Sequence, residues 1–277
     1  MEALADVSQV FGILPGLSPD GQRLVLDVIG PNDHVWVYDL SRRTFSRLTT
    51  GWNNQSPRWT PDGTRIVFTS DRSGVYNLYW QPADGSVPAE RLTESPHEQF
   101  AGSWSPDGEV FTFIETGPTN GAEIWLLTVE RRVRSLIRTR FNNTAPRISP
   151  DGHWLAYVSD ETGRKEVYIR RFPELGAKWQ ISSDGGMAPM WEPQQGRELY
   201  YRNGRKMMVV AIGTHPTFVA AAPRVLFEGS FVERSGYDVA PDGRFIMVEA
   251  DPSDAAPPQI TLIQNWFEEL RRRVPAK

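Results

Sequence analysis

The sequence contains no cysteine, which excludes disulfide bonds, thiolate nucleophiles and cysteine-ligated zinc together. It has no run of eighteen apolar residues, and its first six residues do not have the pattern of a secretory signal. We therefore expect a chain that neither inserts into a membrane nor directs its own export. Neither sign of charge is in large excess, because 30 Lys and Arg stand against 34 Asp and Glu, so we expect no nucleic-acid partner.

Common enzyme signatures are absent as well. There is no Gly-x-Ser-x-Gly segment of the kind that α/β-hydrolases use, and no glycine-rich loop that would hold a phosphate group. His97 and Glu98 begin a pattern found in zinc proteases, but Ala101 stands where that pattern requires its second histidine. Any catalysis by this chain must therefore use another arrangement of side chains.

A four-residue motif with the consensus Ser/Thr-Pro-Asp-Gly recurs along the whole chain. The clear copies begin at Ser18, Thr60, Ser105, Ser149 and Ala240, and a degraded copy runs from Glu192 to Gly196. Successive first positions are 42, 45, 44, 43 and 48 residues apart. A period in the forties, with several short strands in each unit, is typical of a β-propeller in which every repeat forms one blade.

The chemistry of the motif predicts a tight turn between two strands. Proline fixes φ at about −65° at the first corner, aspartate tolerates the second corner, and glycine adopts the left-handed conformation that closes the turn. Short β-branched and aromatic runs flank the turns, such as residues 65–70 and 154–159, and these predict strands. The extra residue in the degraded copy predicts a longer turn there. We therefore predict an all-β fold, a six-bladed β-propeller of four-stranded antiparallel blades.

The predicted blades fill the chain as a single domain over residues 1–277. Their approximate ranges are 10–50, 51–95, 96–140, 141–183, 184–232 and 233–264. Residues 2–5 align with the outer-strand position of the other blades, so we expect them to complete the sixth blade and close the ring. Asn265 can cap a short C-terminal helix over residues 265–274, in which glutamates and arginines lie four positions apart.

The repeat resembles that of TolB-like β-propellers. The resemblance rests on the turn motif, on an aromatic residue before it at Trp59 and Trp104, and on Arg-Leu-Thr at residues 47–49 and 91–93. The later half is similar to the C-terminal propellers of bacterial membrane-anchored Ser/Thr kinases and transcriptional regulators, in segments 166–173, 183–186, 237–243 and 265–270. This likeness implies the fold, and it implies a periplasmic location if the chain is the C-terminal part of such a regulator.

Polar residues recur where the innermost strand of each predicted blade begins. In a propeller these strands all start at one mouth of the central channel, so equivalent positions form a ring. The candidate ring residues, six to eight positions before the turns, are Asn54, His97, Glu98, Asn143, Asp184 and Glu233. Their oxygens suit a divalent metal ion such as Ca²⁺, and His97 would also suit Mn²⁺ or Zn²⁺. The competing interpretation is a solvated rim, because Asn and Asp are common wherever a chain turns.

Asp238 lies two residues before its turn, in the place that Arg58 and Arg147 occupy in other blades. We expect its carboxylate to pair inside the channel with an arginine of a neighbouring blade, which is a structural role more often than a catalytic one.

Two functions of different classes are compatible with this pattern. The first, which we favour, is a monomeric sensory or scaffolding module whose channel mouth binds a small molecule, a peptide or a protein. The second is a metal-dependent hydrolase of ester, lactone or phosphotriester bonds, with the ring holding the ion and His97 or Glu98 acting as general base. The fold does not decide between them, because propellers host many unrelated functions. Whether the purified protein retains a metal would decide between them.

Overall fold

A computed structural model describes residues 2–5, 15–117, 121–214, 217–230, 232, 236–249 and 259–263. All regular elements within these ranges are β-strands. Among the described residues there is accordingly no helix with the length and apolar character needed to cross a membrane. The C-terminal helix predicted over residues 265–274 lies outside the described ranges.

The strands form six antiparallel sheets, and five of these are built from consecutive strands. The first strand is β1 (Glu2–Ala5). Blade 1 comprises β2 (Gly16–Leu17), β3 (Arg23–Val28), β4 (His34–Asp39) and β5 (Thr44–Arg47). Blade 2 comprises β6 (Asn54–Trp59), β7 (Arg65–Ser70), β8 (Asn77–Pro82) and β9 (Glu90–Arg91). Blade 3 comprises β10 (Glu98–Trp104), β11 (Val110–Thr116), β12 (Ala122–Thr128) and β13 (Val133–Ile137).

The two remaining blades made from continuous stretches of chain follow in order. Blade 4 comprises β14 (Asn143–Ile148), β15 (Trp154–Ser159), β16 (Glu166–Arg171) and β17 (Lys178–Gln180). Blade 5 comprises β18 (Met187–Trp191), β19 (Glu198–Asn203), β20 (Lys206–Gly213), β21 (Val219–Ala220) and β22 (Arg224–Glu228). It has one strand more than predicted, because β20 pairs with both β21 and β22 along different parts of its length.

The sixth sheet joins the two ends of the chain. It contains β23 (Tyr237–Val239), β24 (Phe245–Glu249) and β25 (Gln259–Ile263), and β1 pairs with β25 at its outer edge. The described residues therefore give five blades of continuous chain, one fewer than the six predicted, together with this sheet of composite origin. The predicted pairing of residues 2–5 with the last strands is present.

The repeated motif forms the turn between the first two strands of each sheet, as predicted. In blade 2 the Gly63 N–H donates to the Thr60 carbonyl oxygen at 2.9 Å, and the Thr60 hydroxyl donates to the Asp62 carboxylate at 2.5 Å. In blade 5 the Gly196 N–H reaches back four residues, to the Glu192 carbonyl oxygen at 3.2 Å. The turn of the degraded copy is therefore one residue longer, which confirms that prediction.

Five of the turn glycines lie against the proline of the preceding turn. Gly63 has φ +68°, and a Cβ atom placed on it would lie 3.5 Å from Cδ of Pro19. The same contact is made by Gly108 with Pro61, Gly152 with Pro106, Gly196 with Pro150, and Gly21 with Pro241. The turns therefore pack on one another around one end of the ring.

The hydrophobic core lies between neighbouring sheets. In one cluster Trp154, Ala156 and Ile169 of blade 4 pack against Leu199 and Val210 of blade 5. Indole N–H groups add links across the same gaps. Trp59 donates to the Gly16 carbonyl oxygen at 3.1 Å, and Trp191 donates to the Arg147 carbonyl oxygen at 3.0 Å. In these two blades the tryptophan before the turn thus ties its own blade to the preceding one.

The innermost strands contact one another in the order β2, β6, β10, β14, β18 and β23, and β23 also contacts β2. Four of them shift register against their neighbours: β6, β14 and β18 at equivalent positions, and β10 one residue later. Three of these bulges hold a non-glycine residue at positive φ: Ser56, Ala145 and Ala188. Because a bulge re-aims the side chains that follow it, these irregularities determine what faces the channel.

We predict that Gly63→Val destabilises the protein by about 1–2 kcal/mol, because a β-branched residue is forced into the left-handed conformation. Crowding against Pro19 adds to this cost. Gly176→Val is the control, because Gly176 has no positive φ and no atom within 4 Å of its Cβ position. Urea unfolding of both variants checks this prediction, and equal free energies of unfolding would contradict the turn geometry.

Candidate functional site

The two asparagines of the predicted mouth ring are buried, and their side chains are used by their own loops. The Asn54 amide donates to the Gly51 carbonyl oxygen at 2.8 Å, and its oxygen accepts from Arg72 at 3.1 Å. The Asn143 amide donates to the Thr139 hydroxyl at 2.8 Å and to the Phe141 carbonyl oxygen at 3.0 Å. In these conformations both amides stabilise the entry to an inner strand.

The charged members of the ring are more accessible. Glu98 is exposed and His97 is half-buried. The Asp184 side chain is 91% exposed and forms an ion pair with Arg164 at 3.3 Å, while Glu233 lies outside the described residues. In the described part of the chain, no group of three or more His, Asp or Glu side chains is placed to hold a metal ion. The metal site and the catalytic roles of His97 and Glu98 therefore stay predictions.

Asparagine and aspartate recur at this mouth in a second, structural arrangement. Asn53 donates its N–H and its side-chain amide to the two carboxylate oxygens of Asp71, at 2.8 and 2.7 Å. Asn142 does the same with Asp160, at 2.9 and 2.6 Å. This repeated pair joins the loop before the inner strand to the next hairpin. Part of the polar character of the mouth therefore comes from loop closure.

The opposite end of the channel, among the motif turns, holds an open cavity of about 440 Å³. All six inner strands contribute to its wall. Its rim consists of the motif prolines Pro19, Pro61, Pro106, Pro150 and Pro193. Three tryptophans, Trp59, Trp104 and Trp191, line it further in. We call this cavity the turn-side vestibule. It was not among the sites predicted from the sequence.

One residue of each inner strand, two positions before its turn, lines the floor of the vestibule. These residues are Gly16, Arg58, Ser103, Arg147, Met190 and Asp238. A second cavity of about 210 Å³ continues along the channel, and Arg58 and Arg147 line it too. The two arginines therefore stand at the narrow part of the channel, between two open spaces.

The two guanidinium groups share one hydrogen-bond acceptor. Arg58 Nε donates to the Gly102 carbonyl oxygen at 3.0 Å, and Arg147 Nη1 donates to the same oxygen at 2.8 Å. Arg58 Nη1 also donates to the Pro57 carbonyl oxygen at 2.7 Å. Gly102 belongs to blade 3, which stands between the blades of the two arginines. Its carbonyl oxygen thus holds two cationic side chains next to each other.

The environment of this pair disfavours its positive charge. Burial and the neighbouring charge of Arg147 lower the pKa of Arg58 to about 9, and the carboxylates of Asp238 and Asp27 only partly oppose this shift. Burial also lowers the pKa of Arg147. Two like charges close together in a poorly solvated channel raise the free energy of each other's charged form. An anion bound beside them would reverse this effect.

Asp238 faces the same channel but forms no direct ion pair with the arginines. Its oxygens accept from the Leu17 N–H at 2.6 Å and the Val239 N–H at 2.8 Å, and burial raises its pKa. Among the described residues Asp238 forms no ion pair within 4 Å, but its charge raises the pKa of both Arg147 and Arg58, so the predicted pairing is present only as a longer-range interaction. The inner strands place β23 opposite β10 in the ring, whereas the arginines flank β10. The carboxylate and the arginines therefore stand on opposite sides.

A second carboxylate, Asp27, is buried behind the Arg58 side of the channel. One of its oxygens accepts weakly from the Ser56 N–H at 3.5 Å, and the other has no hydrogen-bond partner in the described structure. Burial raises the pKa of Asp27 from its ordinary value of 3.8 to about 6. Its charged form is therefore a source of instability at neutral pH.

The raised pKa of Asp27 gives a prediction about pH. Its folded pKa lies above its unfolded value, so its contribution to stability is fully present below about pH 4 and is lost as the pH rises through about 6. Asp27→Asn should therefore gain stability relative to the parent protein between pH 4 and 7.5, by on the order of 3 kcal/mol at most.

Urea unfolding of both proteins at several pH values measures this difference. Asp107→Asn is the control of opposite sign, because hydrogen bonds from Ser105 and the Glu109 N–H lower the pKa of Asp107. Parallel stability curves for the parent protein and Asp27→Asn would show that Asp27 does not titrate in this way.

Comparison with known proteins agrees with the fold. Residues 3–122 match the family model described as the TolB beta propeller domain. The Tol-Pal system protein TolB of Francisella tularensis subsp. tularensis (strain WY96-3418) is 29% identical over 153 residues, which are 53% of this chain and 35% of that protein. The chain therefore spans about a third of the length of the curated relatives it matches.

Two solved structures extend the likeness to almost the whole chain. A putative TolB from Agrobacterium tumefaciens has a TM-score of 0.70 at 19% identity, over 95% of this chain and 94% of its own. TolB from Acinetobacter baumannii has a TM-score of 0.68 at 17% identity, over 94% of this chain and 65% of its own. At such identities the likeness concerns the fold alone. The chain is therefore an all-β propeller of antiparallel blades, and its residues 3–122 match the TolB beta propeller domain.

Proposed function

We propose that this chain is a TolB-like propeller module that binds another protein through its channel. The observation that carries the proposal is the turn-side vestibule, a concave cavity of about 440 Å³ with mainly apolar walls and a few convergent polar groups. Such cavities are the usual form of binding sites. The name of the relative in Francisella tularensis places that protein in the Tol-Pal system, which supports a role in protein binding.

The rim of the vestibule is suited to protein contact. Prolines and tryptophans provide large contact areas while losing little conformational freedom on binding, so the cost of ordering the site is small. The prolines are also held in place by the glycines of the following turns, for example Pro106 by Gly152. A partner would therefore meet a surface that is already formed.

Two finer aspects of the fold belong to the same proposal. We propose that the sheet of β23, β24, β25 and β1 acts as the sixth blade, supported by its contacts with blades 5 and 1. The relationship to the propellers of membrane-anchored kinases and regulators is proposed on the sequence segments alone, and the whole chain is proposed to form one domain.

Site-specific photo-crosslinking tests the protein-binding role. A benzoylphenylalanine residue at Pro106, on the rim of the vestibule, should form a covalent adduct with a partner protein in cells that express the chain. The same group at Val133 is the control, because Val133 is 44% exposed on the outer strand β13. Equal adducts from both positions, or none from Pro106, would contradict the proposal. Benzoylphenylalanine at His97 tests whether the other mouth of the channel also contacts the partner protein.

We also retain the mouth ring as a proposed divalent-metal site, with Asn54, His97, Glu98, Asn143, Asp184 and Glu233 as candidate ligands. Because Asn54 and Asn143 donate within their loops, the ionisable side chains would provide most of the binding energy.

Thermal melting with Ca²⁺ or Mn²⁺ tests this metal site. Either ion should raise the melting temperature, and a chelator should reverse the change, because an ion that binds only the folded state stabilises it. Glu98→Gln should abolish the shift. Glu109→Gln is the control, because Glu109 belongs to the same blade but lies at the other end of the channel, next to the motif turn. No shift with either ion in the parent protein would rule the site out.

A further inference from the structure

We propose that Arg58 and Arg147 form a binding site for a carboxylate group inside the channel, reached through the turn-side vestibule. The inference deepens the proposed function, on which it rests, by naming the chemistry that a partner presents to the floor of the cavity. It depends on four observations: the arrangement of the two arginines, their free donors, the local charge balance, and the shape of the vestibule.

The arginines are held in a fixed arrangement by the backbone of blade 3. Both donate to the carbonyl oxygen of Gly102. No other residue fits at that position, since a Cβ atom on Gly102 would lie 2.5 Å from the Thr112 carbonyl oxygen. The bulges at Ser56 and Ala145, each two positions earlier, direct the two side chains into the channel. The pair is therefore organised before any ligand arrives.

Several N–H donors of the pair remain available. In the described structure Arg58 and Arg147 donate only to main-chain carbonyl oxygens, and neither forms an ion pair. Arg58 Nη2 and Arg147 Nε and Nη2 make no hydrogen bond there, yet they are not among the buried atoms that lack a partner. These donors therefore reach the open space of the channel. A guanidinium group offers its remaining donors in a planar array that matches a carboxylate.

The local charge balance favours an anion of single charge. The oxygens of Asp238 accept from two main-chain N–H groups, and Asp27 is buried behind the wall, so neither is paired with the arginines. The charges of Asp238 and Asp27 raise the pKa of Arg58, and that of Asp238 raises the pKa of Arg147, but neither carboxylate occupies the free guanidinium donors, which can therefore bind an anion at close range. Asp238 on the opposite side of the ring repels a doubly charged ligand more than a singly charged one. This difference favours a carboxylate over a phosphate group.

The walls of the vestibule indicate what carries the carboxylate. Trp59, Trp104 and Trp191 line the space above the arginines, so the acid group should sit on an apolar body. A peptide with a free C-terminus after an apolar residue, a peptide with an acidic side chain, and a small aromatic acid all have this form. All three present a carboxylate to the arginines, and they can be distinguished with different probes.

The first experiment uses phenylacetate and its neutral analogue phenylacetamide as probes, with the Nε–Hε signals of the protein's arginines followed by nuclear magnetic resonance. Phenylacetate should bind at least about tenfold more tightly than the amide, because hydrogen bonds to charged partners contribute more than neutral ones. It should shift the signals of Arg58 and Arg147. Equal affinity of the two probes, or tighter binding of inorganic phosphate, would overturn the assignment.

Matched variants locate the site. Arg58→Gln and Arg147→Gln should each weaken phenylacetate binding about tenfold or more, whereas Arg132→Gln should leave it unchanged, because Arg132 is 83% exposed near the outer strand β13. Unchanged affinity in both channel variants would overturn the proposal. Arg147→Lys keeps the charge without the planar donors. If the glutamine variants fail to fold, an intermediate loss of affinity in Arg147→Lys supports the site, and full affinity contradicts it.

Peptide probes identify the source of the carboxylate. Gly-Gly-Phe with a free C-terminus, the same peptide amidated, and an amidated peptide with an internal Asp separate a terminal group from a side chain. If either peptide with a carboxylate binds more tightly than amidated Gly-Gly-Phe, the proposal is supported. Equal binding of all three peptides contradicts it. Photo-crosslinking from Pro106 in the Arg58→Gln, Arg147→Gln double variant separates the two proposals. Adducts that persist undiminished overturn the carboxylate site while leaving protein binding intact.

Discussion

The packing of five turn glycines against the proline of the preceding turn is the contact on which the rest of the ring depends. Gly63 lies against Pro19 in a backbone conformation with φ +68°, which glycine adopts without strain. The same contact repeats around the ring, so it fixes the distance between blades at the turn side. The vestibule is the space left inside this ring of prolines, and the inner strands that line it end at the same turns.

The channel combines this regular frame with an uneven distribution of charge. Two arginines flank blade 3, and the carboxylate of Asp238 stands across from them. Each group is hydrogen-bonded mainly to backbone atoms, and the opposite charges interact across the channel without forming a direct ion pair. Burying a charge without a partner is costly, and proteins generally retain such groups where a ligand supplies the missing interaction. The stability of the ring alone does not account for this arrangement.

The sequence predicted the repeating frame well because each residue of the motif has a conformational reason for its position. It predicted the binding residues less well. Asn54 and Asn143 begin inner strands as expected, but whether an amide is free depends on nearby carbonyl oxygens that only the folded loop brings together. Arg58 and Arg147 recur two residues before a turn. The bulges that orient these side chains hold the non-glycine residues Ser56 and Ala145 at positive φ. Residue preferences in the sequence do not predict that conformation.

The tryptophan links between blades have an implication for how such a channel can change during evolution. Trp191 donates to the backbone carbonyl oxygen of Arg147, and Trp59 to that of Gly16. The acceptor is present whatever side chain the channel position carries. Mutation can therefore replace the channel-facing group without removing the bond that joins the blades. A lineage of such propellers can acquire new ligands one residue at a time while each intermediate still folds.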